Sequence, residues 1–254
     1  MSDYERGQRW NLLDEACGGR MRRAQVEGRP GFVLEPGTPA PGKPWVFYAP
    51  TLKDDYPTPR HTWIFSRLLA EGIAISGVDV GETWGSPRGR TGYTRWYKHL
   101  TRDLGFAARA CLFPQSRGGP MLYNWAVEHP EWVSGVTGIY TVCDLRSSRG
   151  TPEAFEAFRA DGVRLESDLA AHNPVDRLAP LARLEVPLFH IHGDADDVVP
   201  LEPNSGEVVR RYRALGGPAE LLVVAGYGHE EHAVFFERDE VVASIRRQAL
   251  AGAR

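Results

Sequence analysis

Ala108-Arg109-Ala110-Cys111-Leu112-Phe113-Pro114-Gln115-Ser116-Arg117-Gly118-Gly119-Pro120 is the stretch from which the rest of this chain can be read. Its first half, ARACLFP, is a short apolar run of the kind that forms a strand buried on both faces. Its second half passes at once into MLYNWAVEHPEW, whose helix is expected to end at His129, before Pro130. A serine on so sharp a strand-to-helix turn is held exposed, and its neighbours must be small because the turn crowds the backbone. Gly118 meets that need two residues after Ser116, whereas Pro114 stands two before it, where glycine is usual. Pro120 suits a helix start, since first-turn N–H groups have no helical partner to lose. The same residues would also serve an ordinary helix with Ser116 as its N-cap.

Outward from this unit the pattern repeats. On the N-terminal side, MRRAQV and GFVLEP, separated by EGRP, predict an antiparallel hairpin, and PWVFYAP (44–50) a strand buried on both faces. TPRHTWIFSRLLAEG predicts a helix with Trp63, Leu68 and Leu69 on one face and Gly72 as its stop. GIAISGVDV is a further strand, and TGYTRWYKHLTRDLGF a further helix. On the C-terminal side WVSGVTGIY, VPLFHIHG and AELLVVAG are strands, while LEPNSGEVVRRYRALGG and AVFFERDEVVASIRRQALA are helices. Strands alternating with helices imply an α/β protein with a doubly wound, mostly parallel sheet, expected to form a single domain over residues 1–254. Ligands of such sheets bind outside the carboxyl ends of the strands.

Composition excludes several classes. The chain has 254 residues, 42% hydrophobic and 25% charged, which is too apolar for disorder. A net charge of −3, with 30 Lys and Arg mixed among 33 Asp and Glu, argues against a dedicated nucleic-acid binder. Three cysteines, Cys17, Cys111 and Cys143, form neither a disulfide framework nor a zinc knuckle. No run approaches the roughly eighteen apolar residues of a membrane span. The polar N-terminus, MSDYERGQRWNLLDEACGG, lacks the apolar stretch of a signal peptide, so the cytoplasm is the expected location.

Three loops after strands hold the candidate chemistry: Gln115-Ser116-Arg117-Gly118-Gly119, then His192-Gly193-Asp194-Ala195-Asp196-Asp197-Val198-Val199-Pro200, then Gly226-Tyr227-Gly228-His229. The order Ser, Asp, His along the chain is that of an α/β-hydrolase triad. On these residues the sequence resembles the α/β-hydrolase superfamily, over roughly residues 30–250, and within it the esterase-like branch that includes dienelactone hydrolases and prolyl-oligopeptidase catalytic domains. The resemblance implies a serine hydrolase with Ser116 as nucleophile, His229 as base and Asp196 as the acid that orients it. Asp194, Asp197 and Asp144 compete for that last role; the family pattern, with the acid four residues before the VVP proline, selects Asp196. One oxyanion donor is expected from the backbone of Arg117, and the second from Thr51 or Leu52, since Pro50 has no N–H. The expected substrate is a carboxylic ester carrying a small or carbohydrate-attached acyl group. Lactone, thioester or peptide cleavage on the same triad and a silent ligand-binding fold are the alternatives; the gating domain usual in oligopeptidases has no room in this chain. No nucleic-acid or membrane partner and no organic cofactor is implied.

Two histidine groupings invite a metal reading. His190-Ile191-His192-Gly193-Asp194 matches the start of an HxHxDH metal motif, but Ala195 replaces the histidine that motif requires. Strand alternation points His190 and His192 to one face of a buried strand, as hydrogen-bonded core histidines. His229 and His232 stand at i and i+3, not the i and i+4 of a zincin helix, so His232 is read as a first-turn or surface residue. No metal is expected.

Substrate selection is expected in two insertions. One is the 81–97 loop, with Glu82, Trp84, Arg88, Arg90 and Arg95, which either walls the site or is solvated surface. The other is a small helical lid over about 144–176, with Phe155, Phe158, Val163, Leu165 and Leu169 as its apolar side. Trp84 and, after the fourth α/β strand, Tyr140 are the expected substrate contacts. Arg88, Arg90, Arg146 and Arg149 are candidates for binding an anionic group, against the plainer reading of solvated arginines.

Overall fold

The computed structural model describes residues 13, 16–52 and 56–254. Residues 1–12, on which the leader-peptide expectation mainly rests, lie outside them. Eight strands form one sheet: β1 (Arg20–Val26), β2 (Arg29–Glu35), β3 (Trp45–Ala49), β4 (Ala74–Val78), β5 (Ala110–Pro114), β6 (Val133–Ile139), β7 (Leu188–Gly193) and β8 (Ala219–Val224). Their spatial order is β1-β2-β4-β3-β5-β6-β7-β8, antiparallel at β1–β2 and β2–β4 and parallel from β4 onward. The predicted α/β class and mostly parallel sheet are therefore what the chain adopts.

The apolar strand runs are continuous because both faces are covered. In β3, Trp45, Phe47 and Ala49 belong to one buried cluster and Val46 and Tyr48 to the other. The first cluster is closed by α2 (Pro87–Lys98) and α3 (Gly118–Ala126), through Tyr93, Trp96, Leu122 and Trp125. The second is closed by α1 (Thr62–Ala70) and the last helix of the chain, Asp239–Gly252. Between β3 and β5 the chain order reverses, since β4 lies on the far side of β3. The carboxyl ends of β3 and β5 thus flank the crevice where ligands of open α/β sheets bind.

Three local readings need correction. The expected 81–97 loop is mostly helix: α2 begins at Pro87, not at Thr91. Ser86 is extended at the N-cap, and Pro87 supplies a preset φ where its missing N–H costs nothing. The signal that could not be read locally is Asp161, whose carboxylate accepts from the Arg88 N–H (2.7 Å) and the Ser86 hydroxyl (2.5 Å) across 73 and 75 residues. In α1 the buried face is Ile64, Phe65, Leu68 and Leu69, while Trp63 sits on the flank with the Arg67 guanidinium 3.5 Å above its ring. Finally, the last predicted helix is two pieces, interrupted at Glu237 and Arg238. At 100° per residue a continuous helix would turn Phe236 and Val241 about 140° apart. The interruption lets both reach the same cluster.

The segment after β6 carries α4 (Thr151–Ala160), α5 (Leu165–Asp168) and α6 (Ala179–Arg183) before β7. Leu145, Ala154, Phe158 and Leu165 bury themselves with Trp84, Val142 and Val199 in a small third cluster. This satellite core roofs the carboxyl edge of the sheet. The remaining helices are α7 (Glu207–Ala214), α8 (Ala233–Phe236) and α9 (Asp239–Gly252). Among the described residues no helix is long and apolar enough to cross a membrane.

Candidate active site

Ser116 occupies the single turn between β5 and α3, with φ at +48°. A non-glycine residue there is strained, and strain of this kind collects at functional sites. Trp84 (φ +49°) and Tyr140 (φ +34°) share the feature and line the same cavity. The turn is locked by its backbone: Ser116 N–H donates to the Ile139 carbonyl (3.0 Å) and Val142 N–H to the Ser116 carbonyl (2.9 Å). A Cβ on Gly118 would strike the Ala49 carbonyl, and one on Gly119 the Val142 carbonyl. Those close approaches are why the turn reads Ser-Arg-Gly-Gly.

The hydroxyl of Ser116 lies 2.8 Å from His229 Nε2, and His229 Nδ1 lies 2.8 Å from Asp196 Oδ2. A carboxylate only accepts, so the His229 proton sits on Nδ1 and Nε2 is left to accept from the serine. The other oxygen of Asp196 accepts from the Val198 and Val199 N–H groups at 3.0 and 2.7 Å. Burial alone would push this carboxyl up, but the bonds from His192, His229 and Val199 outweigh it and hold Asp196 well below the usual carboxylate range. The competing aspartates are turned elsewhere. Asp144 is clamped by the Arg146 guanidinium through both oxygens at 2.8 Å, Asp194 accepts from Gly226 N–H, and Asp197 pairs with Arg149.

A cavity of about 550 Å³ opens above Ser116. Trp84 forms part of its wall beneath the lid, where a Cβ on Gly150 would strike the indole ring. Ser148, Arg149, Gly150 and Glu153 of the lid segment complete the roof. Tyr140 borders the cavity but is only 1% exposed, its ring 4.4 Å from that of His229; it supports the histidine more than it offers surface to a ligand. His232 is exposed and caps α8, accepting from Val234 N–H at 3.2 Å.

Neither Thr51 nor Leu52 is among the described residues lining the cavity. Thr51 is turned inward, its hydroxyl on the Tyr48 carbonyl and its side chain against Gly77 of β4. Leu52 bridges to Tyr56, and it is Tyr56 that returns to the cavity wall, with the Arg117 guanidinium 5.4 Å over its ring. The arginines considered for an anionic ligand are already committed: Arg88 to Asp161, Arg90 to Glu128, Arg146 to Asp144 and Arg149 to Asp197. Of these only Arg149 lines the cavity.

The sequence reading missed the polar bed beside the serine. The Gln115 amide oxygen accepts from Tyr48 (3.0 Å) and His61 Nε2 (2.9 Å), and its NH₂ donates to Tyr140 (2.9 Å) and Glu231 (3.2 Å). Glu231 also accepts from the Thr58 hydroxyl at 2.9 Å. The only local hint was position: Gln115 precedes Ser116, and Glu231 follows His229 by two residues. Burial lowers His61 to about 4, against the opposing charge of Glu231, and burial together with His192 lowers His190 to about 3. Both histidines are neutral in the fold and titrate near 6.5 when unfolded. Below that pH the unfolded chain binds more protons, so stability is lost as pH falls from about 6.5 towards 4, at up to about 1.4 kcal/mol per pH unit for each histidine. Urea midpoints measured at pH 7, 6 and 5 are expected to fall steadily; a flat series contradicts these buried neutral states.

No curated protein sequence matches the chain. Among solved structures, a puromycin-hydrolyzing peptidase of Mycobacterium tuberculosis superposes with a TM-score of 0.72 at 16% identity, over 92% of this chain and 40% of that one. Dipeptidyl peptidase 4 of Porphyromonas gingivalis gives 0.65 at 15%, over 83% and 32%. An esterase gives 0.67 at 15%, over 99% of this chain and 82% of its own. The chain thus spans about two fifths of the length of the first of these peptidases. At such identities the likeness establishes the α/β-hydrolase fold. The family model described as the prolyl oligopeptidase family matches residues 88–248, from the start of α2 to α9 and across all three loops that carry Ser116, Asp196 and His229, and the chain belongs to that family.

Proposed function

We propose that this chain is a serine hydrolase that cleaves small carboxylic esters through Ser116, His229 and Asp196. The observation that carries the reading is the unbroken chain of two 2.8 Å contacts from the Ser116 hydroxyl through His229 to Asp196, opening onto a cavity. A serine hydroxyl is a weak nucleophile until a base takes its proton during attack. His229 Nε2 takes that proton as Ser116 Oγ adds to the carbonyl carbon, and Asp196 stabilises the imidazolium. The same proton then passes to the departing alcohol, leaving an acyl group on Ser116. Water, deprotonated by His229, releases the acid and restores the hydroxyl. The Arg117 N–H stands at the start of α3, where first-turn donors lack helical partners, and serves the oxyanion. For the second donor the Tyr56 hydroxyl stands beside the Thr51 and Leu52 N–H groups as a candidate, because Tyr56 lines the cavity.

The size of the cavity and its roof of residues from the chain itself support a small acyl substrate. Family membership supports a second reading, amide or peptide cleavage on the same groups. A panel of p-nitrophenyl esters of rising acyl length, run against aminoacyl and dipeptidyl p-nitroanilides, separates the two. The expected result is short esters preferred over every anilide in kcat/KM, beyond the intrinsic reactivity difference of the leaving groups. Preferred anilide cleavage would make it a peptidase. Absence of turnover together with absence of fluorophosphonate labelling would make it a binding protein.

A further inference from the structure

β7 ends in His190-Ile191-His192-Gly193, and both imidazoles are fully buried on the same face of the strand. Each ring nitrogen has a partner. Tyr123 of α3 places its hydroxyl 2.7 Å from His190 Nε2. His190 Nδ1 is 2.9 Å from Ser205 Oγ and 3.1 Å from Thr141 Oγ1. Ser205 Oγ is 2.7 Å from His192 Nδ1. His192 Nε2 is 2.8 Å from the Val199 carbonyl and 3.3 Å from Asp196 Oδ2.

Proton positions follow from what each partner can do. A carbonyl and a carboxylate only accept, so His192 carries a proton on Nε2. The Tyr123 hydroxyl is kept protonated by burial and needs an acceptor, which His190 Nε2 provides. Neutral His190 then has its proton on Nδ1 and donates to the Ser205 or Thr141 oxygen. With His190 donating to Ser205, the single proton of that hydroxyl goes to His192 Nδ1. His192 therefore presents its Nε2–H to the Val199 carbonyl and Asp196, at the end of a buried chain whose donors can all point towards that carboxylate.

That end has a purpose for the site. The backbone of Val199 receives His192 at its carbonyl and holds Asp196 Oδ1 with its N–H at 2.7 Å. On the other oxygen, His192 Nε2–H and His229 Nδ1–H converge. We propose that His192 is a positioning residue, which fixes the carboxylate of Asp196 for His229 and has its own tautomer set by the Tyr123–His190–Ser205 chain. The inference rests on the hydrolase reading above. Among the described residues the titratable groups that act on this chain are Asp196 and, beyond it, His229 at one end, and Cys143 and Tyr212 around Thr141 and Tyr123 at the other.

Two measurements test it. In the whole protein labelled with ¹⁵N-histidine, ring nitrogen shifts at the pH of the turnover assay should show His192 with its proton on Nε2 and Nδ1 accepting, its signal assigned by its loss in His192→Gln. A proton on Nδ1 overturns the proposal. In turnover, His192→Phe should lower kcat about tenfold to a hundredfold, the scale usual when an orienting partner is removed, with KM within about twofold. His192→Gln, whose amide both donates and accepts, should recover most of that loss. The variants are compared at equal folded fraction by near-ultraviolet circular dichroism. Unchanged kcat in the Phe variant, or equal losses in both, leaves only a core histidine. If the Phe variant does not fold, Ser205→Ala replaces it and should lower kcat without moving KM; an unchanged kcat there overturns the chain. If instead Ser116 is neither labelled nor needed for turnover, the hydrolase reading itself has failed, while the tautomer measurement still decides the chain.

Discussion

Ser116→Ala is expected to abolish fluorophosphonate labelling and to lower kcat by about 10⁴-fold or more, with the native fold retained. The size follows from the role assigned to the hydroxyl. Without it no acyl-enzyme forms, and His229 has no proton to take at the attacking atom. What remains is the contribution of the oxyanion donors and of binding, which in triad hydrolases leaves a residual rate still about 10³–10⁴ above water. The fold should tolerate the change because the Ser116 side chain contributes one hydrogen bond, to His229, while the turn is held by the Ile139 and Val142 backbone contacts and by the tight seats of Gly118 and Gly119. Steady-state turnover, labelling and thermal unfolding of the same preparation check it. Full activity in a folded Ser116→Ala protein removes the triad.

Asp196→Asn is expected to cost about 10⁴ in kcat, whereas Asp144→Asn should change it little. The geometry dictates how the amide must sit. Val198 and Val199 present two N–H groups to the first oxygen of residue 196, so the asparagine carbonyl is drawn there and its NH₂ faces His229 Nδ1. That nitrogen must then accept, which moves the His229 proton to Nε2, the atom that has to receive the serine proton. The base is present but in the wrong tautomer. His192 Nε2–H also loses its acceptor at that position, though it keeps the Val199 carbonyl. Asp144, by contrast, is spent on Arg146 and on the Asn173 amide (3.2 Å) and reaches no part of the Ser116–His229 pair. A pre-steady-state burst assay on both variants separates lost acylation from lost deacylation. Comparable losses in the two variants, or a larger loss at Asp144, would move the acid to the loop after β6.

The lid segment has a second function beyond roofing the cavity. Asp161, just past α4, caps α2 through the Arg88 N–H, and Arg149 Nε donates to the Asp197 carbonyl on the loop that carries Asp196. The lid therefore ties the entrance wall at Trp84 to the loop after β7. Arg146, Arg149 and Arg159 of this segment hold carboxylates of the protein itself.

Much of this molecule is decided within short windows. The apolar runs of β3, β4, β5 and β7 predict buried parallel strands because each must cover two faces, and no distant residue alters that. The serine turn is equally local: Gly118 and Gly119 answer to backbone atoms that any such turn brings close. The spacing of Asp196 before Val198-Val199-Pro200 sets the two N–H bonds to its carboxylate. Other features depend on contacts across the chain. The start of α2 at Pro87 needed Asp161, and the inward turn of the Thr51 side chain depended on the room left by Gly77 of β4. The arginines could be assigned only once their carboxylates were in place. His190 and His192 looked like metal ligands or core residues because a sequence cannot show which of two imidazole nitrogens finds a carbonyl. That choice belongs to Tyr123, 67 residues before His190, and to Val199 and Ser205 past the end of β7, and these hydrogen bonds exist only after the strands and helices have packed.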